Sequence, residues 1–170
     1  MDVHTGVVLI GHGATASDTP RELVGELKML EAKRQAGGDL AAPMSAREAE
    51  IDAKVRNWPR TPESDPYQAG LQQLAQSLKL FLASTPLEVA FNEFCAPSVE
   101  EASEKLVKAG CKKVVLATVM TTRGGLHSEL EIPAICNKLK KLHPGVEFVY
   151  AWPYETGQVA ELIARNLRRF

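Results

Sequence analysis

The chain has 170 residues, which suits one packed domain with an appended element and is short for two domains. Its 45% hydrophobic and 24% charged content is that of an ordinary globular protein. Because 20 Lys and Arg residues face 21 Asp and Glu residues, there is no global positive charge to neutralise a nucleic-acid backbone, and nucleic acid is excluded as a partner.

The amino-terminal residues lack the pattern of a secretory signal. The stretch MDVHTGVVLIG holds an acidic residue and only a short apolar run, and no later stretch approaches the length that crosses a bilayer. Cys95, Cys111 and Cys136 nowhere form a C-x-x-C pair, which indicates reduced packing residues rather than a disulfide framework or a zinc site. These features predict a cytoplasmic protein without a membrane anchor.

Far more chain follows the first predicted strand than one crossover needs. That strand covers residues 6–10, and helix starts come at Thr19, Ser45 and Asp65, each a capping residue with Glu or Gln three positions on. The first two helices carry narrow apolar stripes among many charges. We therefore predict that residues 19–65 form an inserted helical hairpin, which we call the insert. The sequence leaves open whether it is surface decoration, a lid or a dimerisation arm.

The third helix of this region is the predicted crossover to the second strand. It covers residues 66–83 and has apolar side chains at core-facing spacing, namely Leu71, Leu74, Leu78 and Phe81. Three further strands are indicated by nearly continuous apolar runs at residues 87–92, 113–120 and 146–152.

Helices are predicted after each of these strands. The first opens with the capping box of Ser98 and Glu101 and stops near residue 110, the second covers residues 133–143, and the last covers residues 158–168. The last places four apolar residues on one face: Val159, Leu162, Ile163 and Leu167. The alternation predicts an α/β domain with a mostly parallel four-stranded sheet flanked by helices.

Ligands of parallel α/β sheets bind at the carboxyl ends of the strands, so the residues that follow each strand are informative. Gly11-His12-Gly13 follows the first strand, Asn92 and Glu93 follow the second, and a loop containing two glycines and His127 follows the third. We therefore expect His12, Glu93 and His127 to gather along one edge of the sheet, although they are distant in sequence.

Two imidazoles and a carboxylate suit a divalent first-row metal such as iron, cobalt, nickel or zinc. A site with few protein ligands leaves coordination positions open for a substrate. Four glycines near the histidines let the backbone approach a bulky ligand, namely Gly11, Gly13, Gly124 and Gly125. A histidine beside a strand can equally be structural, so these residues alone leave both interpretations open.

Four stretches of the sequence resemble the short form of the class II tetrapyrrole metal chelatases, the sirohydrochlorin chelatases of cobalamin, siroheme and nickel-tetrapyrrole synthesis. They are LIGHG, VAFNEFCAPSVEEASEKLVKAG, KKVVLATVMTTRGGLHSELEIP and YAWPYETGQVAELIARNL. The resemblance covers the first strand and the chain from about residue 67 onward, while the insert has no counterpart in the usual short form. It implies a chelatase-like fold in one α/β domain.

The resemblance also implies site residues and partners. His12 and His127 would bind the incoming metal with Glu93 beside them, and two subunits would pair as a homodimer around a cleft. This chain has Ala14-Thr15 where the family usually has Ser-Arg, and lacks a common proline near Thr118. It also has Glu131 in place of an aspartate. These departures leave a divergent substrate open.

Metal insertion into a tetrapyrrole requires a metal site, a proton acceptor and anchors for a ring that carries many carboxylates. The anchors expected on the third loop are Thr121, Thr122 and Arg123. The metal is a substrate, with cobalt favoured over iron and nickel, and no permanently bound cofactor is expected. Two alternatives remain: a non-catalytic carrier or sensor of metal or tetrapyrrole, and histidine-dependent phosphoryl transfer. The latter is disfavoured because position 11 is glycine rather than the phosphate-binding arginine.

Overall fold

A computed structural model describes residues 4–37 and 43–170 of the chain. Its four strands are β1 (Thr5–Gly11), β2 (Leu87–Phe91), β3 (Lys113–Thr118) and β4 (Glu147–Tyr150). They pair in parallel in the order β2-β1-β3-β4, so the predicted four-stranded parallel sheet is confirmed. The last three strands end earlier than predicted because the residues after them turn into the loops at the carboxyl edge.

Helices cover both faces of the sheet. On one face, α3 (Pro66–Lys79) packs on alternate residues of β1 and β2. On the other face, α4 (Val99–Lys108) and α5 (Ile132–Leu142) enclose the larger apolar core with β1, β3 and β4. Alternate side chains of a strand point to opposite faces, so the nearly continuous apolar run of β1 is explained by burial on both sides.

Three of the four predicted helix caps are present. The side chains of Ser45 and Asp65 each accept a hydrogen bond from the backbone three residues on, and Ser98 forms the full capping box with Glu101. The cap predicted at Thr19 is wrong by one residue. The helix α1 (Arg21–Gln35) begins after Pro20, whose side chain has no oxygen to accept a bond.

The crossover helix is shorter than its apolar spacing predicts. It ends at Lys79, so Phe81 lies in the following turn and is 85% exposed. Leu74 is also largely exposed, and the buried face is formed by Leu71 and Ala75 with partly buried Leu78. The prediction that Leu74 and Phe81 face the core is therefore wrong.

The insert contains two helices that pack on each other, α1 and α2 (Ala46–Arg56). Leu27 of α1 and two residues of α2, Ile51 and Val55, form a small buried cluster of their own. Residues 38–42 of the predicted hairpin lie outside the described residues. The cluster lies apart from the two sheet cores, so polar contacts carry much of the connection between the insert and the sheet.

The last helix, α6 (Thr156–Leu167), is fully described and buries none of its side chains. Leu162, Ile163 and Leu167, which the periodicity assigned to one apolar face, are 66%, 55% and 67% exposed. An apolar helical face normally lies against another element, so this face has the character of a contact surface. Within the described residues, no helix is long and apolar enough to span a bilayer.

Candidate metal centre

The three side chains predicted as ligands lie at the carboxyl edge of the sheet. His12 follows directly on β1, Glu93 follows β2, and His127 comes after the loop that leaves β3. From β1 the chain passes to β2 on one side of β1, and β3 then pairs with β1 on the other side. Parallel α/β sheets bind ligands in the crevice at such a reversal. The topology thus brings together residues that are far apart in sequence.

The three side chains form one cluster. Glu93 Oε1 lies 2.9 Å from His127 Nε2 and 3.3 Å from His12 Nε2. The two imidazole rings meet edge to face with their centroids 4.5 Å apart. The side chains of Glu93 and His127 are each 22% exposed, whereas that of His12 is 42% exposed. The cluster is therefore open to a ligand on the side of His12.

The outer nitrogen of each imidazole contacts an acceptor. His12 Nδ1 lies 2.9 Å from the carbonyl oxygen of Gly13, and His127 Nδ1 lies 2.8 Å from Glu131 Oε2. Carbonyl and carboxylate oxygens accept hydrogen bonds, so we assign the hydrogen to Nδ1 in both rings. Asn92 Nδ2 also lies 2.9 Å from His127 Nδ1, but its shorter contact is the hydrogen bond that it donates to Glu131 Oε2 at 2.6 Å. In the neutral imidazole, Nε2 is then the nitrogen with the lone pair. Both Nε2 atoms face the carboxylate of Glu93.

Three electron-pair donors consequently face one small space. Two lone pairs and a carboxylate oxygen repel one another unless a cation or a proton lies between them. Nitrogen and oxygen ligands bind first-row metals at about 2.0–2.2 Å, so two ligands of one ion are about 3–4 Å apart. The donor atoms of His12, Glu93 and His127 all lie within 4.8 Å of one another, so small side-chain movements suffice to bind an ion.

The glycines around His12 serve the packing of the protein itself. Gly13 has a φ of +100°, and a Cβ there would lie 1.8 Å from the carbonyl oxygen of Glu93. A Cβ on Gly11 would lie 2.6 Å from the side chain of Leu71. The sequence analysis predicts that both glycines leave room for a bulky ligand. In the structure, the space beside them is occupied by other residues of the chain. Contact of either glycine with substrate stays a prediction.

His127 lies in a helical turn rather than on an open loop. Residues His127–Glu131 form a π-helical turn that runs directly into α5, and the N–H of Ile132 donates to the carbonyl oxygen of His127. The prediction that this helix begins at Pro133 is therefore wrong. Proline is compatible with the first turn of α5, and the wider π turn extends the helix upstream of it.

Two residues to which the sequence analysis gave no role contact His127. Glu131 Oε2 accepts a hydrogen bond from His127 Nδ1 and another from Asn92 Nδ2 at 2.6 Å. The spacing of His127 and Glu131 is i,i+4, which places them on one helix face and could have indicated the pair. Asn92 could not be found in this way, because it comes from another loop. Carboxylates commonly orient metal-binding histidines through the outer nitrogen.

Comparison with known proteins identifies the family. The model of the CbiX family matches residues 63–169. The chain belongs to the CbiX family. This confirms the predicted membership among short-form class II chelatases. The matched range contains Glu93 and His127, whereas His12 and nearly all of the insert precede it.

Individual relatives extend the comparison. The sirohydrochlorin cobaltochelatase of Priestia megaterium is 37% identical over 71 residues, which is 42% of this chain and 23% of the relative. A CbiX protein of Marinobacter aquaeolei VT8 superposes with a TM-score of 0.54 at 15% identity, over 97% of this chain and 92% of its own. SirB from Bacillus subtilis with Fe3+ superposes with a TM-score of 0.51 at 14% identity, over 89% of this chain and 40% of the SirB chain. These structural matches confirm the predicted chelatase-like fold. The chain spans less than a quarter of the length of the curated relative.

The loop predicted to anchor the substrate, residues 121–125, lies at the same edge of the CbiX sheet and is largely exposed. Gly124 has a φ of +88°, and its N–H donates to Glu129 Oε1 at 3.3 Å. This glycine therefore provides the turn that brings the chain back to His127. The guanidinium of Arg123 is exposed, so its donors are accessible to a ligand. The substrate contacts of this loop stay predictions.

The insert forms one wall of the site, on the side away from His12. A cavity of about 270 Å³ lies between the insert and the metal cluster. Its lining includes Glu31, Arg34 and Arg56 of the insert and Glu93 and His127 of the CbiX core. Burial raises the pKa of Glu31 from its ordinary value of 4.5 to about 7, and repulsion from Glu93 adds to this effect. The sequence analysis placed no residue of the insert beside the metal cluster.

Proposed function

We propose that this chain inserts a divalent metal into sirohydrochlorin or a closely related tetrapyrrole. The observation that carries the proposal is the convergence of two Nε2 lone pairs and the Glu93 carboxylate at the ligand-binding edge of the sheet. Membership of the CbiX family and the name of the Priestia megaterium relative support the substrate class. Metal and tetrapyrrole are both substrates, and we propose no permanently bound cofactor.

The geometry suits the steps that metal insertion requires. His12 and His127 would hold the ion through Nε2 with Glu93 as the third ligand, and three protein ligands leave coordination positions open for the ring nitrogens. Each pyrrole N–H bond that breaks leaves its electron pair on nitrogen for the new bond to the metal. The two protons pass to the imidazoles as the ion leaves them, since imidazole is the usual proton acceptor near neutral pH. Glu93 contacts both rings and lines the cavity, so it can pass protons outward.

The tetrapyrrole would lie on the open side of the cluster, beside His12. Pockets for drug-sized ligands have volumes of about 300–1,000 Å³, and a tetrapyrrole is larger than most such ligands. The cavity of about 270 Å³ next to the insert is too small for it. On the open side, Arg123 and the hydroxyls of residues 121 and 122 would meet the carboxylates of the ring.

Cobalt is our first choice of metal, followed by iron and nickel. Imidazole and carboxylate ligands bind all three, so the ligand set does not distinguish them. The name of the Priestia megaterium relative favours cobalt within this set. The proposed place of the reaction is cobalamin or siroheme biosynthesis in the cytoplasm.

We further propose that two copies pair as a homodimer. The exposed apolar face of α6 offers a surface that a second copy would cover. Pairing around a cleft is also what the resemblance to short-form chelatases implies. Two copies would supply the two halves that a longer chelatase contains in one chain.

An anaerobic absorbance assay with sirohydrochlorin and Co2+, Fe2+ or Ni2+ tests the function. We expect insertion by the parent chain and a loss of about 100-fold or more in His12→Ala and His127→Ala. His143→Ala is the matched control, because that imidazole contacts Glu104 at 2.8 Å, far from the cluster in the fold. Unchanged rates in both site variants would remove the proposed roles. Metal binding without turnover would favour the carrier or sensor.

A further inference from the structure

Arg56, at the end of α2, connects the insert to the loop that carries Glu93. One terminal nitrogen of Arg56 donates to the carbonyl oxygen of Cys95 at 3.1 Å, and the other donates to that of Asn92 at 3.0 Å. Its Nε donates to Asp52 Oδ2 at 2.7 Å, which fixes the plane of the guanidinium. A single side chain therefore spans the loop from residue 92 to residue 95, with Glu93 between the two contact points.

A second arginine and an aromatic ring support the same loop. Arg60 donates to the carbonyl oxygen of Phe94 and, at 2.8 Å, to that of Ala14, two residues after His12. The side chain of Phe94 packs against the buried cluster of the insert, which comprises Leu27, Ile51 and Val55. The residue next to Glu93 in sequence is thus anchored in the insert through its main chain and its side chain.

The loop needs this support because its backbone is strained. Phe94 has a φ of +58°, a left-handed conformation that is uncommon for a residue other than glycine. Such conformations persist where the surrounding structure fixes them, and they occur often at functional sites. A metal ligand must be held to within about 0.5 Å of its productive position. The N–H of Glu93 donates to the carbonyl oxygen of His12 at 2.9 Å, and Arg56 adds support on both sides of that contact, at Asn92 and Cys95.

We propose that Arg56 is a positioning residue for the metal centre, so that the insert is a fixed wall of the site rather than a lid or a decoration. The inference rests on the proposed metal-binding role of His12, Glu93 and His127. Lysine at position 56 would keep the charge but could not reach two carbonyl oxygens and Asp52 from one planar group. The charge and the geometry can therefore be separated by experiment.

Titration of the purified full chain with Co2+ provides the test. Arg56→Lys is compared with Arg47→Lys, a matched control on the same helix whose guanidinium contacts Glu26 and Glu50 instead of the loop. We expect Arg56→Lys to weaken Co2+ binding by about 10-fold or more and to alter the visible d–d bands of the saturated protein, because Glu93 is displaced from the ion. We expect the control to match the parent in both.

The outcomes separate this inference from the proposed function. If the parent binds Co2+, His127→Ala does not, and Arg56→Lys equals Arg47→Lys in affinity and spectrum, the positioning role is overturned. If His127→Ala binds as the parent does, the metal site itself is wrong and the inference falls with it. Should Arg56→Lys fail to fold, Asp52→Ala tests the same connection, since it removes the acceptor that fixes the guanidinium plane and leaves Arg56 in place. Parental binding and an unchanged spectrum in that variant would overturn the positioning role.

Discussion

The insert and α6 are both peripheral helical regions, but they are joined to the domain in opposite ways. The insert lies almost wholly outside the CbiX match, yet its partly buried arginines donate to carbonyl oxygens of the loops after β1 and β2. In contrast, α6 lies within the match and buries none of its side chains. Membership of the matched range therefore does not measure how firmly a segment belongs to the fold. The decisive property is whether its polar groups and apolar face find partners in the same chain.

The largest effect is expected where the insert meets the core. Arg60 and Asp65 form an ion pair whose side chains are 4% and 1% exposed. Arg60→Met leaves the carboxylate of Asp65 without this partner, so we expect the free energy of unfolding to fall by about 3–5 kcal/mol in urea denaturation. Arg165→Met breaks an exposed pair on α6 and should cost about 0–1 kcal/mol. Equal costs would show that the insert is no more firmly joined than α6.

The next largest change in stability is expected in the apolar cluster of the insert. Leu27 is fully buried, so Leu27→Ala should lower the free energy of unfolding by about 2–5 kcal/mol through lost burial and the cavity left behind. The same substitution at the exposed Leu162 of α6 should change it by no more than about 0.5 kcal/mol. Denaturation at protein concentrations low enough to favour single copies makes the two values comparable. A neutral Leu27→Ala would contradict a packed insert.

A substitution on α6 should instead change association. Leu162→Lys places a charge on the proposed interface, and we expect sedimentation velocity to show the mass of one chain where the parent shows two. Met29→Lys is the control, because Met29 is an equally exposed apolar residue of the insert. Loss of the dimer in the control alone would make the insert the dimerisation arm.

The smallest effect concerns pH and Glu31. Since folding raises the pKa of this carboxyl from 4.5 to about 7, the folded state retains a proton that the unfolded chain releases in this interval. Its contribution to stability is therefore most favourable below about pH 4.5, declines as pH rises, and is lost by about pH 7. Glu31→Gln should flatten this decline and raise the melting temperature at pH 8 by at most about 2–4 °C.

An unchanged pH dependence in Glu31→Gln would place the carboxyl in water rather than in the cavity. Glu161→Gln, an exposed carboxyl on α6, should follow the parent throughout. The melting temperatures of the parent, Glu31→Gln and Glu161→Gln, measured by thermal unfolding between pH 5 and pH 8, provide the comparison.

Local sequence patterns accounted for much of the fold. The strands were visible as short apolar runs, and the starts of α2, α3 and α4 were visible as capping residues, because both features depend on neighbours within one segment. Periodicity predicted an apolar face on α6 but could not show that no element of the described chain buries it. The exposure of Phe81 was missed for a similar reason, since the spacing continues past the point where the helix ends.

The candidate site, too, could be predicted only in part from the sequence. The approach of His12, Glu93 and His127 followed from the rule that parallel strands end at one edge, which requires only the order of elements. Arg56 could not be found from the sequence, because its acceptors are backbone carbonyl oxygens that any residue supplies. The space beside Gly13 was misinterpreted because only tertiary structure shows which group fills it.

The π-helical turn at His127 makes residues 127–131 sensitive to changes in length. Deleting one residue there would favour ordinary α geometry, which turns by about 100° and rises 1.5 Å per residue. The imidazole would then swing away from Glu93 although every ligand was still encoded. A chimaera that exchanges this junction of the chain for that of another CbiX-family protein must therefore preserve the residue count across the turn, even where the flanking residues are identical.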